Sequence, residues 1–187
     1  MPLCYHPAPA SGYLRQGEVL VGVVEHRADL PVGPAEGEVG VIAVEHPLVV
    51  VMTNECDLLH DRQARDGGAA TAANSLQHVL LCDGYRVGDR VELRGRLALP
   101  GGDIAKRVEG NQDERYHCFA GDSGQGAPTH VSPFFVIDFR RHFAVPTEQL
   151  YQGVTAGLVQ RLAVVPPIHL HDLIHRFYGY LSRVAVP

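Results

Sequence analysis

Short runs of β-branched and other apolar residues, separated by stretches rich in glycine and proline, dominate the chain. Runs of this length and composition are typical of β-strands. The run from Leu48 to Met52 contains no polar residue, which is the pattern of a central strand covered on both faces. We expect strands at 17–26, 38–45, 48–53, 78–82, 86–99 (with an exposed alternation from Val91), 115–120 and 133–139.

The hydrophobic period changes toward the end of the chain. A short helical stretch is expected after Pro146, and Pro166-Pro167 starts a longer helix at 167–183, where proline is tolerated in the first turn. Within it Leu170, Leu173 and Phe177 fall on one stripe at helical spacing, so this amphipathic helix is expected to pack on the sheet.

The order of these elements predicts the fold class. Strands follow strands without crossover helices, an order that does not support a βαβ nucleotide-binding fold. We expect a mainly β (α+β) domain, built as a small antiparallel barrel or a strongly bent sheet with long loops and a C-terminal amphipathic helix. Residues 1–16 are predicted to be an irregular lead-in to a single domain at 17–187.

Charge and composition limit the kinds of partner that the chain is expected to bind. A net charge of −5 argues against a general nucleic-acid coat, although it leaves room for a small basic groove and for RNA as a ligand. The longest apolar runs are too short to span a membrane, and no basic and apolar leader opens the sequence, so a cytoplasmic protein without membrane contact is expected. The four cysteines are widely spaced and are expected to be reduced.

The first candidate site is TNECDLLHD at 53–61, directly after the most apolar strand. Thr53, Cys56 and Asp57 supply a hydroxyl, a thiol and a carboxylate, and Cys56 would be a nucleophile with a histidine base. The structural alternative, which we favour, makes Cys56 a small buried side chain and Asp57 a cap of a turn or helix start.

The second candidate site is NQDERYHCF at 111–119. Alternation along a strand is expected to place Arg115 and His117 on one face, where a fixed cation and an acid–base group would suit phosphodiester cleavage. The structural alternative, again favoured, pairs Arg115 with Asp113 or Glu114 on a solvated face. We expect no cofactor.

Whether a metal binds is left open. Thiolates and imidazoles suit zinc, and the candidate ligands would be Cys56, Cys82 and Cys118 with His60 or His117. The spacing of these residues does not correspond to a zinc motif, in which ligands occur as close pairs.

The segments GEVLVGVVEH and HPLVVVMT, at 17–26 and 46–53, resemble the opening of the PemK/MazF-type toxins. The resemblance implies a small SH3-like barrel that cleaves RNA and is usually paired with an antitoxin. That family uses an arginine before the proline and a serine or threonine at the end of the strand. Here Thr53 matches the hydroxyl, and His46 stands before Pro47.

A second likeness covers VVVMTNECDL, RYHCF and VIDFRR. Together with the closing helix, these segments look like a group of uncharacterised bacterial proteins that share a VVxxSxxCDL signature. This likeness implies a fold rather than an activity.

Three functional hypotheses follow. The first is an interaction or sensor module of a toxin–antitoxin-like or defence-type system, with a protein partner and without a complete catalytic site. It predicts an apolar or aromatic surface patch from residues such as Phe134, Phe143, Tyr151 and Tyr178. The alternatives are a metal-independent RNA-cleaving barrel that uses Thr53, His46, Arg115 and His117, and a cysteine-dependent enzyme built on Cys56. Whether the chain is an enzyme, and whether it forms homo-oligomers, is left open.

Overall fold

The computed structural model describes residues 6–8, 12–29, 40–68, 75–120 and 134–183. In these ranges the chain forms nine strands and five helices. The strands are β1 His6–Pro7, β2 Glu18–Val21, β3 Val23–Asp29, β4 Gly40–His46, β5 Val49–Val51, β6 His78–Val87, β7 Tyr116–Ala120, β8 Phe134–Pro146 and β9 Gln160–Val164. The helices are α1 Glu55–Asp66, α2 Arg90–Arg96, α3 Gly102–Glu109, α4 Thr147–Thr155 and α5 Pro167–Leu181.

Seven of the strands form one antiparallel sheet in the order β1-β9-β2-β5-β6-β8-β7, which curls into a half-barrel. The predicted strongly bent antiparallel sheet with a terminal helix is therefore confirmed. Strand β5 lies in the middle of the sheet, and Val49, Val50 and Val51 are fully buried. The apolar run was thus correctly assigned to a central strand.

Strands β3 and β4 form a separate two-stranded sheet, which we call the arm. β3 continues from β2 after Gly22, and β4 leads into β5 through the bend at Pro47. β2 and β5 pair in the main sheet, and the arm extends this pair of strands beyond the sheet.

Helix α5 covers one face of the sheet. Val50 points to this face together with Leu173 and Phe177 of the helix, and all three side chains are fully buried. The predicted helix at 167–183 is confirmed to within two residues at its C-terminal end. Its apolar stripe packs on the sheet as expected.

The opposite face is covered by two separate pairs of helices. Leu58 of α1 and Leu150 of α4 pack with Val49 and Val51 of β5. Helices α2 and α3 cover the other part of this face, where they pack against β6, β7 and β8. A strip of polar side chains crosses the sheet between the two pairs, and it includes Asp83 of β6.

The strand expected at 86–99 is wrong, because β6 ends at Val87 and residues 90–96 are helix α2. Asp89 caps this helix: its Oδ1 accepts hydrogen bonds of 2.8 Å from the backbone N–H groups of Val91 and Glu92. Glu92 in turn accepts from the Gly88 N–H at 2.6 Å, which completes a reciprocal cap. Those bonds outweigh the apolar alternation that suggested a strand.

Candidate functional site

The side chains of the first predicted site lie where β5 gives way to α1. Thr53 is buried, and its Oγ1 accepts a 2.7 Å hydrogen bond from the Leu80 N–H of the neighbouring strand. Cys56 and Asp57 lie exposed in the first turn of α1. Cys56 was expected to be buried, and that prediction is wrong. Among the described residues no hydrogen bond joins the Cys56 thiol to a histidine.

Arg115 and His117 do not share a face. β7 begins at Tyr116, and the Arg115 guanidinium turns back to bind both carboxylate oxygens of Asp113, at 2.9 and 2.7 Å. It lies 5.6 Å from the centre of the Tyr116 ring, whereas His117 contacts Phe119 at an edge, with ring centres 4.3 Å apart. The same-face prediction is wrong, and the alternative ion pair with Asp113 is confirmed.

His117 is a buried, neutral histidine. Its exposed fraction is 2%, and its Nδ1 has no hydrogen-bond partner among the described residues. The nearest carboxylate oxygen of Asp172 lies 4.0 Å away. Burial, reinforced by the charges of Arg176 and His169, lowers the His117 pKa to about 3. A side chain in this position is unsuited to exchange protons with a substrate in solvent.

This depressed pKa predicts a pH effect on stability. Above the unfolded-state pKa of roughly 6.5 the imidazole is neutral in both states and contributes nothing. Below about pH 6.5 the unfolded chain binds a proton at this histidine, whereas the folded chain binds it only near pH 3. The free energy of unfolding therefore decreases as the pH falls between these two values, by at most about 1.4 kcal/mol per pH unit.

We expect His117→Leu to remove this part of the pH dependence. The free energy of unfolding, measured with urea between pH 7 and pH 4, should fall less steeply for the variant than for the unsubstituted chain. His60→Leu, at an exposed histidine of α1, is the control and should keep the original slope. Equal slopes for all three proteins would contradict the assignment.

The predicted zinc ligands are dispersed. Cys82 and Cys118 are buried on opposite faces of the sheet, and Cys56 is exposed on α1. Burial raises the pKa of the Cys118 thiol to about 12. Within the described ranges no three histidine, cysteine or acidic side chains are grouped closely enough to hold a metal ion.

The arm presents apolar side chains to solvent. Its seven residue pairs run from Val23↔His46 at the root to Asp29↔Gly40 at the far end. Ala28 and Val41 face each other near that end, and the exposed fraction of Val41 is 71%. Ile42, on the opposite face of the ribbon, is 47% exposed. Each face of the ribbon thus presents one large apolar side chain to solvent.

A buried polar network fixes the root of the arm to the main sheet. His46 of β4 bonds Asp83 of β6 through Nδ1 at 2.6 Å and Glu25 of β3 through Nε2 at 3.1 Å. Phe143 stacks on the imidazole with ring centres 3.8 Å apart, and Arg141 bonds the second oxygen of Asp83 at 2.6 Å. Each ring nitrogen of His46 thus faces a carboxylate oxygen. His46 therefore has no free nitrogen to act as a base.

An irregular β-bulge in β8 places Arg141 in this network. Cys82 pairs with His142, yet Gly84 pairs with Ile137, so four residues of β8 stand opposite Asp83 alone. Bulges turn a strand and redirect its side chains. His46 was singled out from the sequence, whereas neither Arg141 nor Asp83 was. The one signal for Asp83 was a lone carboxylate inside an otherwise apolar run.

A groove of about 470 Å³ lies between the root of the arm, α4 and the turn that leads into β9. Val24 forms part of it, and the Gln149 side chain donates a 2.8 Å hydrogen bond to the Val24 carbonyl. Leu158 stands at its rim and is 74% exposed. Gly22 has φ +78°, and a Cβ there would lie 2.3 Å from the Leu158 carbonyl oxygen. Only glycine fits where the arm passes this turn.

Among the side chains that the structure describes, Phe143, Tyr151 and Tyr178 do not form the aromatic patch suggested by the sequence. Phe143 and Tyr151 pack against the core under α1 and α4. Tyr178 is partly exposed and donates a hydrogen bond to Asn54 at 3.1 Å. The side chain of Phe134 lies outside the described part of the chain. The apolar surface is instead carried by the arm.

Comparison of the chain with protein-family models, with curated proteins and with solved structures found no match. In the described part of the chain no helix is long and apolar enough to cross a membrane.

Proposed function

We propose that this domain is a protein-interaction module that binds an extended segment of a partner protein along the arm. The observation that carries the proposal is the exposure of Val41 and Ile42 on a two-stranded sheet whose root is locked in place. A fixed surface loses little conformational freedom on binding, which favours affinity.

The arm offers backbone groups as well as side chains. Within the described residues, β3 and β4 pair only with each other, so each strand keeps one open edge. An extended peptide that adds to such an edge gains main-chain hydrogen bonds, and its alternate side chains select the sequence. The groove beside α4 is placed to receive an apolar side chain of that peptide, because Val24 and Leu158 line it.

The charges on the arm favour a protein over RNA as the occupant. Arg27 is bound to Glu25 at 2.7 Å on one face of the ribbon, and Glu45 is exposed on the other face. RNA would require unpaired cations along the ribbon. The RNA-cleaving alternative also lacks free catalytic groups, because His46 is bonded at both nitrogens and His117 is buried. Membership of a toxin–antitoxin-like or defence-type system is part of the same proposal.

Val41→Arg tests the role of the arm. A charged side chain at the centre of a protein contact costs roughly 2 kcal/mol or more, so recovery of the partner should fall at least about tenfold. The measurement is co-purification of a tagged chain from its native host, quantified against the unsubstituted protein.

Val91→Arg is the matched control, because Val91 is 75% exposed on α2, away from the arm. It should leave partner recovery unchanged. If both arginine variants recover the same proteins in the same amounts as the unsubstituted chain, the arm is not the contact surface.

A further inference from the structure

The unpaired cations of this acidic chain are concentrated in one region. Most described arginines bind a carboxylate or backbone carbonyls. The basic side chains without such a partner among the described residues are Arg86, Arg94, Lys106 and Arg107. Arg96, in the same stretch, meets Glu92 only at 3.6 Å on an exposed helix face, a contact that contributes little.

Arg86 and Arg96 line one cavity. It has a volume of about 260 Å³ and is formed by Arg86 and Arg96 with Tyr85, Leu48, Val21 and Pro47. The lining therefore combines two cations with an aromatic ring and aliphatic walls. Carboxylates are absent from it, so nothing in the lining neutralises Arg86.

The floor of the cavity depends on Gly84. A Cβ at this position would lie 2.6 Å from both Leu48 Cδ2 and Phe135 Cε2. The strand backbone is thus held directly against the core, and the cavity above it has a packed base. Polar groups held over such a base are kept in place for a ligand better than those on a free loop.

We propose that this cavity binds a small phosphate monoester. Arg86 and Arg96 hold the phosphate, because the planar guanidinium donates paired hydrogen bonds that match phosphate oxygens. The organic part lies against Leu48 and Tyr85. The volume is just below the range of ordinary ligand pockets, which fits a ligand no larger than a mononucleotide.

The cavity also adjoins the root of the arm. Val21 is followed by Gly22 and β3, and Pro47 follows the last residue of β4. A bound phosphate ester would therefore lie beside both strands that carry the arm. The site does not rest on the protein partner proposed above, and each can be tested without the other.

Titration calorimetry of the full chain at low salt tests the site with AMP, adenosine and inorganic phosphate as probes. We expect AMP to bind and adenosine not to bind. Arg86→Gln and Arg96→Gln should each weaken AMP binding about tenfold or more, since each removes a charged hydrogen-bond donor. Thermal unfolding of both variants should match that of the unsubstituted chain, because Arg86 binds no other side chain in the described ranges and the ion pair of Arg96 is weak.

Arg94→Gln is the matched control: Arg94 lies on helix α2 with Arg96 and pairs with none of the described residues, but it does not line the cavity. It should leave AMP affinity unchanged. A 5′-phosphorylated RNA trinucleotide compared with its 5′-hydroxyl form distinguishes a free nucleotide from an RNA end as the source of the phosphate. Failure of AMP to bind, or an equal loss in the Arg86 and Arg94 variants, overturns the proposal.

Discussion

Asp83→Ala is expected to lower the free energy of unfolding by about 1–3 kcal/mol, the range for leaving a buried hydrogen-bonding group without its partner. Asp83 is 5% exposed and bonds both His46 and Arg141. Without its carboxylate, the buried His46 imidazole keeps only the bond to Glu25 among the described residues, and Arg141 loses its bond to Asp83. The cost comes chiefly from the buried His46 nitrogen that is left without a hydrogen-bond partner.

The same substitution should loosen the arm. Its root is joined to β6 through the bond between His46 and Asp83, so backbone amides of β3 and β4 should exchange hydrogen for deuterium faster in the variant. Urea unfolding gives the stability, and exchange monitored by mass spectrometry gives the local effect. Asp66→Ala, at an exposed carboxylate paired with Arg62, is the control and should cost less than about 1 kcal/mol. Unchanged exchange in the arm of the Asp83 variant would show that the network does not anchor it.

The central strand and the closing helix could be predicted because their signals are local. β5 consists of three consecutive valines, and α5 carries a stripe that includes Leu173 and Phe177. Each pattern reports burial without reference to the rest of the chain. The bend of the sheet followed from the number of short strands and was also predicted correctly.

Helices with few apolar residues could not be predicted from hydrophobic periodicity. α1 follows Asn54 and has Glu55 and Asp57 in its first turn and Arg65 in its last, a charge order that suits the helix dipole. Only Leu58 and Asp61 are buried along it. The hydrophobic period is too weak to detect, so only the capping and charge signals could have found this helix.

The anchoring network could not be predicted, because its members meet only in the folded chain. His46 and Asp83 are 37 residues apart, and Arg141 is 58 residues from Asp83. The bulge that brings the Arg141 guanidinium next to Asp83 depends on how β8 pairs with β6. Arg115 shows the reverse case: alternation predicted its orientation, and a local bond to Asp113 overrode it.

Arg161→Met is the second substitution with a large expected effect. Glu18 is fully buried, and Arg161 of β9 binds both of its carboxylate oxygens. The same guanidinium donates to the backbone carbonyl of Tyr13 at 2.9 Å, and so fixes the segment that precedes β2. Methionine keeps the aliphatic volume, but among the described residues it leaves the Glu18 carboxylate with only the Arg15 backbone N–H, at 2.8 Å.

We expect a loss of about 3–5 kcal/mol, because an uncompensated charge remains in the core. For a chain of this size that corresponds to a fall in Tm of roughly 6–20 °C, which calorimetry measures directly. Arg62→Met is the matched control, since Arg62 forms a 2.8 Å ion pair with Asp66 at the surface and should shift Tm by no more than about 4 °C. Glu18→Met combined with Arg161→Met should recover part of the loss, because removing both partners leaves no buried charge. A double variant less stable than Arg161→Met alone would mean that Glu18 stabilises the fold through its Arg15 bond rather than through the pair.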